Sequence, residues 1–216
     1  VLQQKPMDFE ANLLMGTILN EADEPEEAAI HLQQAIEINP ASPKPFFQMG
    51  RMFLRLGEIG QTKVFYEKCY KLDSSIPEVN EFFVQIDKQE TETKIGTLLK
   101  QAKEAEDQGD AQGAKTSYDD LLGIQPSHFY ARYRSGEINE SLSRLSEAAF
   151  DYQQAYTHYE ENQNQFRELP VRLGLILARL SRVDEAIPVL VHALKVEPGN
   201  IDLHLTLLHQ YKDFFA

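Results

Sequence analysis

Residues 15–40, MGTILNEADEPEEAAIHLQQAIEINP, form the stretch of sequence that decides the fold. Small and apolar residues recur at helical spacing in two runs, and Pro40 ends the second run because proline cannot continue a helix. The pattern returns as residues 49–74, MGRMFLRLGEIGQTKVFYEKCYKLDS. Equivalent positions lie 34 residues apart, as for Gly16 and Gly50, Leu32 and Tyr66, and Ala35 and Cys69. We therefore predict a repeated unit of helix, tight turn and second helix.

The same interval recurs in the second half of the chain. Ala114 and Ala148 are 34 residues apart, whereas Gly136 and Gly174 are 38 apart. An insertion near residues 163–166 accounts for the longer interval.

Glycine occupies one interior column of the predicted first helices. Glycine inside a helix lowers the stability of the helix by about 1 kcal/mol relative to alanine. Its presence at these positions therefore indicates a packing role. We expect each of these glycines to let a neighbouring helix approach closely, namely Gly16, Gly50, Gly136 and Gly174. The third unit has Ala102 in this column.

These columns resemble the tetratricopeptide repeat family, whose pattern is a large apolar residue, Leu-Gly, Tyr, then Ala, an aromatic residue, Ala and Pro. Residues 173–200, LGLILARLSRVDEAIPVLVHALKVEPGN, supply a third match, although the early aromatic column never holds tryptophan. The resemblance implies an all-α fold, a right-handed α-solenoid of stacked helix-turn-helix units. We place units at residues 9–42, 43–76, 95–128, 129–162 and 167–200.

The segment between the second and third units is too short for another helix pair. Pro77 is a first-turn signal, and apolar residues follow it as far as Ile86. Residues 87–94, DKQETETK, have no apolar side chain and predict either a solvated linker or an exposed helical connection. A hinge there would let two lobes change their relative angle. The expected lobes are residues 1–88, with a capping helix at 77–88, and residues 93–216, with residues 201–216 as either a further first helix or a terminal cap.

Pro6 lies one period before Pro40. Residues 1–6 are therefore expected to be the end of a second helix whose first half is missing. We expect the chain to be a segment of a longer array or of a multidomain protein.

Composition and charge exclude several classes of protein. The 34 acidic residues outnumber the 21 lysines and arginines by 13, which argues against a nucleic-acid-binding surface over the whole molecule. No apolar stretch approaches the roughly 18 residues that span a bilayer, so direct membrane insertion is not expected. The single cysteine, Cys69, cannot form an internal disulfide. We expect a soluble protein, with the cytoplasm favoured over the periplasm.

The residues that could carry chemistry do not form a recognisable catalytic motif. The sequence has no phosphate-binding glycine loop, no His-Glu-x-x-His, no Cys-x-x-Cys and no Gly-x-Ser-x-Gly. His204 and His209 are five apart, a poor spacing for a shared metal, and Cys69 lies in a small-residue column that favours a packing thiol. We expect no catalytic residue, no metal and no cofactor.

The better candidate site is the concave surface that first helices line in such solenoids. The family resemblance assigns its central positions to the fifth, sixth and ninth residues of each unit, where five residues are basic and one, Glu137, is acidic. This predicts a positive groove for an acidic partner segment. The margins of the groove hold acidic residues, among them Glu106 and Glu140. If these acids pair with the central bases, the groove has little net positive potential. The predicted binding residues are Lys44, Phe47, Gln48, Arg51, Arg55, Lys100, Lys103, Tyr130, Tyr133, Arg134, Arg172 and Arg179.

Three functions fit these observations. The first is a non-catalytic scaffold or adaptor that binds a protein or peptide segment, with an acidic segment as the candidate and no nucleic acid as partner. The second is the recruitment arm of a larger enzyme such as a transferase, and the third is a self-assembling or secretion-system scaffold. Heat-shock chaperone C-termini are not expected partners, because the clamp positions that need asparagine hold Thr17, Gln48 and Arg51.

Overall fold

The predicted helices are present, and in the part of the chain that the structure describes they are the only regular elements. The structure is a computed structural model that describes residues 8–214, with side chains as far as Lys212. The helix end expected at residues 1–6 lies outside the described residues. In chain order the helices are α1 (Phe9–Glu21), α2 (Pro25–Ile38), α3 (Pro43–Arg55), α4 (Ile59–Leu72), α5 (Pro77–Asp107), α6 (Ala111–Ile124), α7 (Phe129–Ser141), α8 (Leu145–Tyr156), α9 (Tyr159–Asn162), α10 (Leu169–Arg179), α11 (Val183–Val196) and α12 (Ile201–Phe214).

Consecutive helices pack as pairs, each made of a first and a second helix. The pairs are α1 with α2, α3 with α4, α7 with α8 and α10 with α11. The C-terminal part of α5 shares a core with α6 through Leu98, Ala102 and Tyr118. Neighbouring pairs also pack, since α2 contacts α3, α6 contacts α7 and α8 contacts α10. These contacts confirm the predicted all-α solenoid.

Each first helix ends in a turn of the same geometry. The fifteenth residue of every predicted unit has a positive φ, a conformation that glycine adopts easily and other residues adopt at some cost. Glycine is present in only two of the five turns. The residues are Asp23 (65°), Gly57 (75°), Gly109 (73°), Ser143 (57°) and Ser181 (57°).

The interior glycines lie where the second helix of the pair comes closest. A Cβ atom on Gly50 would be 2.2 Å from the ring atoms Cδ1 and Cε1 of Tyr66, and one on Gly136 would be 2.5 Å from the same atoms of Tyr152. Side chains fill the space that glycine leaves, which is the close approach that the sequence predicts. Gly16 and Gly174 lie in the same way against Leu32 and Leu190.

The chain divides into two compact units, residues 1–90 and 91–216, and the division falls within α5. In the first unit, one core lies around Leu32 between α1 and α2, and another joins α3 and α4 to the start of α5 around Tyr66. In the second unit, Tyr118 centres the core of α5 and α6, and the largest core surrounds Leu173 and Leu177 of α10.

The segment at residues 87–94 is helical. α5 runs without interruption from Pro77 to Asp107, so the solvated linker is wrong and the exposed helical connection is what the structure contains. The reason is that residues 87–94 hold no proline or glycine, so exposed polar side chains can remain helical without a core beneath them. A hinge at this segment stays a prediction.

Among the described residues, no helix is both long enough and apolar enough to cross a membrane.

His128 caps the N-terminus of α7 and makes this cap sensitive to pH. Its Nδ1 accepts a hydrogen bond of 3.2 Å from the backbone N–H of Ala131, which requires the neutral imidazole. Burial lowers the pKa of His128 below its usual 6.5, so the folded protein binds this proton less readily than the unfolded chain. The cap's contribution is therefore complete above about pH 6.5 and is lost as the pH falls through the lowered pKa.

We predict that His128→Asn removes this pH dependence, because asparagine is also a good N-cap and does not titrate. Between pH 7.5 and pH 5, wild type should lose about 1 kcal/mol more stability than the variant, the usual value of an N-cap. Urea unfolding at both pH values measures the difference. Equal losses in the two proteins would show that His128 does not act through its protonation.

Candidate functional site

The predicted binding residues all lie on first helices, and they differ in how far they are exposed. In the first unit the surface of the first helices carries Leu14 of α1, whose exposed fraction is 62%. In the second unit it carries Tyr130 of α7, with an exposed fraction of 38%.

In the first unit, three predicted residues of α3 lie together. The ring of Phe47 stacks on that of Tyr66, with centroids 6.0 Å apart, and the guanidinium of Arg51 lies 5.8 Å from the Phe47 centroid. Arg51 also pairs with Glu78 at 3.5 Å. Gln48 is half-buried beside them. This group combines an aromatic surface with a cation that already has an acidic partner.

The other two basic residues predicted in this unit, Arg55 and Lys44, differ in whether they have an acidic partner. Arg55 donates hydrogen bonds to the backbone carbonyl of Asn20 and, at 2.9 Å, to the carboxylate of Asp23. It therefore ties the C-terminal end of α1 to α3, where a cation is favourable because the last carbonyls of a helix carry partial negative charge. Lys44 is exposed and forms no ion pair with any described residue.

In the second unit, Arg134 of α7 is held by two glutamates. It contacts Glu106 of α5 through two N–H groups at 2.8 and 2.9 Å, and Glu137 of α7 at 2.7 Å. The hydroxyl of Tyr118 donates to the same Glu106 at 3.0 Å. Arg134 therefore links α5, α6 and α7 rather than standing free for a partner.

Arg172 of α10 repeats this arrangement in the next pair. It contacts Glu140 at 3.0 Å, Glu168 at 3.1 Å and Glu137 at 3.4 Å, and Tyr152 donates to Glu140 at 2.9 Å. Glu106 and Glu140 stand 34 residues apart in the sequence, as do Tyr118 and Tyr152. The linkage is thus a feature of the repeat.

The first unit shows what this linkage does. Tyr66 stands at the position of Tyr118 and Tyr152, but Leu54 replaces the glutamate. Within the described part of the chain, the buried hydroxyl of Tyr66 has no hydrogen-bond partner. The glutamate therefore satisfies a buried hydroxyl in addition to pairing with an arginine.

We call Arg134 and Arg172 with Glu106, Glu137, Glu140 and Glu168 the Arg134–Arg172 cluster. Two guanidiniums face four carboxylates, so the cluster has a formal charge of −2. The margin acids thus pair with the central bases, which was the alternative to a positive groove. In this part of the second unit the surface is not positive.

Tyr133 and Tyr130 differ in accessibility. Phe166, from the insertion before α10, packs on Tyr133 with a centroid distance of 4.8 Å, and Tyr133 is only 7% exposed. Burial raises the pKa of Tyr133 to about 12. Tyr133 is therefore a core residue, whereas Tyr130 keeps an exposed edge.

The three remaining predicted residues are exposed bases. Lys100 pairs weakly with Glu104 at 3.6 Å along the same helix, and Lys103 forms no ion pair within the described part of the chain. Arg179, at the end of α10, is likewise without an ion pair among the described residues. Arg179 borders a cavity of about 470 Å³ whose other lining residues were not predicted, namely Leu175, Ala178, Asp202, Leu205, Thr206, His209 and Gln210.

The repeat pattern could have identified three of the cavity residues. If α12 is counted as the first helix of a sixth unit that starts at Ile201, then Leu205, Thr206 and His209 occupy the fifth, sixth and ninth positions. The sequence pattern allows residues 201–216 to be either a first helix or a cap. The structure shows α12 packed against both α10 and α11.

The described residues hold no group of three or more histidine, cysteine or acidic side chains arranged for a metal ion. Burial raises the pKa of Cys69 to about 11, so this thiol is protonated at neutral pH and packs in the core beside Tyr66.

Comparison with known proteins finds similarity to one protein family and to solved structures. Tetratricopeptide repeat models match residues 9–42 and residues 99–164. The solved structure of the TPR2AB-domain:pHSP90 complex of yeast Sti1 has a TM-score of 0.64 at 16% identity, over 97% of this chain and 88% of that chain. The P58(IPK) TPR domain has a TM-score of 0.48 at 18% identity, over 98% of this chain and 57% of that chain. No curated protein matches the sequence.

Proposed function

Because the chain belongs to the tetratricopeptide repeat family, we propose that it is a non-catalytic adaptor that binds a segment of another protein on its first helices. Stacked helix pairs bury the sides by which they contact one another and leave one face of the first helices to solvent, the face that is concave in such solenoids. The observation that carries the proposal is the apolar surface that remains on this face, above all at Leu14 in the first unit and Tyr130 in the second.

The surface has the mixed character of a protein-binding site. Exposed apolar side chains supply the area whose burial drives association, and aromatic residues are favoured anchors. Phe47 with Arg51 in the first unit, and Val171 with Leu175 in the second, extend the half-buried part of this surface.

An acidic segment is the partner chemistry that we propose. The support comes from the bases without an ion pair among the described residues, Lys44, Lys103 and Arg179, and not from the Arg134–Arg172 cluster. The pHSP90 of the yeast Sti1 complex is not our candidate partner, because Thr17, Gln48 and Arg51 replace the asparagines that chaperone binding would need.

The proposal predicts that a partner contacts first helices and not second helices. A photoreactive benzoylphenylalanine placed at Leu14 or Tyr130 should crosslink a discrete set of proteins in the cells that make this protein. Matched probes belong at Ile30 of α2 and Phe150 of α8, which are 58% and 52% exposed apolar residues on second helices. We expect several-fold more crosslinked product from the first-helix position of each pair, measured by mass spectrometry.

Equal yields from the two members of both pairs would reject the first-helix face as the binding surface. Since all four positions are exposed, loss of folding does not explain such a result, and circular dichroism of each variant verifies this.

A further inference from the structure

A cavity in the second unit lies between α10 and α12. Its volume is about 470 Å³, within the range of roughly 300–1,000 Å³ that small ligands occupy. Leu175, Ala178 and Leu205 form its apolar part, and polar side chains border them. The cavity can therefore hold an apolar side chain together with a polar group beside it.

Arg179 is the basic residue of α10 that is available to a ligand. Arg172, on the same helix, contacts three glutamates, whereas Arg179 is exposed and has no ion pair within the described part of the chain. A guanidinium binds a carboxylate through two parallel N–H groups, which gives direction as well as attraction. His209 borders the same cavity and adds a second nitrogen-bearing side chain.

Gln210 supplies an independent sign that a ligand binds in this cavity. It is 7% exposed and lines the cavity, yet its Oε1 has no hydrogen-bond partner among the described residues. Buried polar atoms are nearly always hydrogen-bonded, because leaving one unpaired forfeits its interaction with water. A donor such as the backbone N–H of a bound peptide would satisfy this acceptor.

We propose that this cavity binds a short segment of a partner protein in which one carboxylate side chain neighbours an apolar side chain. The carboxylate pairs with Arg179, the apolar side chain packs on Leu175 and Leu205, and a backbone N–H donates to Gln210. Asp202 borders the same cavity and repels a second carboxylate, so one acidic residue is preferred to a run of them. This inference rests on the proposed function and names the chemistry of its partner.

The test selects ligands without assuming a sequence. A random heptapeptide library displayed on phage is selected on the immobilised full chain, and the enriched peptides are synthesised with a fluorescent label. Fluorescence anisotropy then gives their dissociation constants for wild type, Arg179→Gln, Gln210→Met and the control Arg144→Gln. Arg144 is an exposed arginine outside this cavity, and it has no ion pair among the described residues, so it matches Arg179 in charge.

We expect enriched peptides to carry an aspartate or glutamate next to an aliphatic or aromatic residue. Arg179→Gln should weaken their binding by about 10-fold or more, and Arg144→Gln should change it less than about 2-fold. Gln210→Met should weaken binding by about 3-fold or more while leaving the thermal midpoint equal or higher, because the variant removes an unpaired buried acceptor. A purely structural Gln210 would instead lower the midpoint.

Three results would overturn the inference: no enriched peptide, enriched peptides that bind Arg179→Gln as tightly as wild type, or equal weakening by Arg179→Gln and Arg144→Gln. None of these depends on the crosslinking comparison of Leu14 with Ile30 and of Tyr130 with Phe150. Failure of the cavity can therefore be distinguished from failure of the proposed function.

Discussion

Gly50→Ala is expected to destabilise the first unit by about 3 kcal/mol, at the upper end of the usual cost of overpacking. The added Cβ would lie 2.2 Å from two ring atoms of Tyr66. That ring is fully buried between Phe47 and Phe82, with centroid distances of 6.0 and 5.1 Å, so it cannot move aside without disturbing both neighbours. Thermal and urea unfolding, followed by circular dichroism, measure the loss.

Gly96→Ala is the control for this prediction. Gly96 also lies inside a helix, α5, but a Cβ there would have no atom of the described residues outside its own helix within 4 Å. Alanine should therefore stabilise the protein by about 0.5–1 kcal/mol, the difference in helix propensity alone. If both variants changed stability in the same direction, the close approach of α3 and α4 would not explain Gly50.

Asp151→Ala is expected to destabilise the second unit by about 3 kcal/mol or more, because it breaks a buried ion pair from one side. Asp151 of α8 accepts hydrogen bonds from Arg132 at 2.7 Å and from Asn139 at 3.0 Å, both on α7. Its side chain is 7% exposed and that of Arg132 is 16% exposed. Removing the carboxylate leaves Nη1 of Arg132 and the amide of Asn139 without this acceptor, although Nε of Arg132 keeps its hydrogen bond to the carbonyl of Pro126. Urea unfolding measures the loss of stability.

Two further variants separate this effect from a change of surface charge. Glu147→Ala removes a carboxylate from the same helix, α8, but Glu147 is exposed and should change stability by no more than about 0.5 kcal/mol. The double variant Arg132→Ala, Asp151→Ala should lose less than the sum of the single losses, because no uncompensated charge remains. Additive losses would mean that the two side chains do not stabilise the protein as a pair.

The sequence alone was sufficient to predict the helix pairs and the positions at which their helices come close. The interval between Gly16 and Gly50 predicts where helices approach, and the structure places Leu32 and Tyr66 against these glycines. Such features are local: helix, turn and small-residue column all lie within one unit, and repetition of the unit makes the pattern visible. The positive φ of Ser143 and Ser181 is not predictable from the sequence, because serine, unlike Gly57, does not signal this conformation.

For the segment at residues 87–94, the sequence predicts exposure but not the backbone conformation. Its lack of apolar residues predicts exposure, and its side chains are mostly exposed. Exposure does not distinguish a linker from a helix, however, since a polar segment without helix breakers can continue a helix that begins at Pro77.

The sequence by itself thus determined the repeat, the all-helical fold and the helices that carry the candidate surface. Only the tertiary structure decided which charges on that surface are available, because Arg134 meets Glu106 across 28 residues and Arg172 meets Glu140 across 32. It likewise decided that Phe166 covers Tyr133. The physical reason is that a repeat fixes spacing along one helix, whereas ion pairs and side-chain burial depend on how side chains of different helices are directed towards each other.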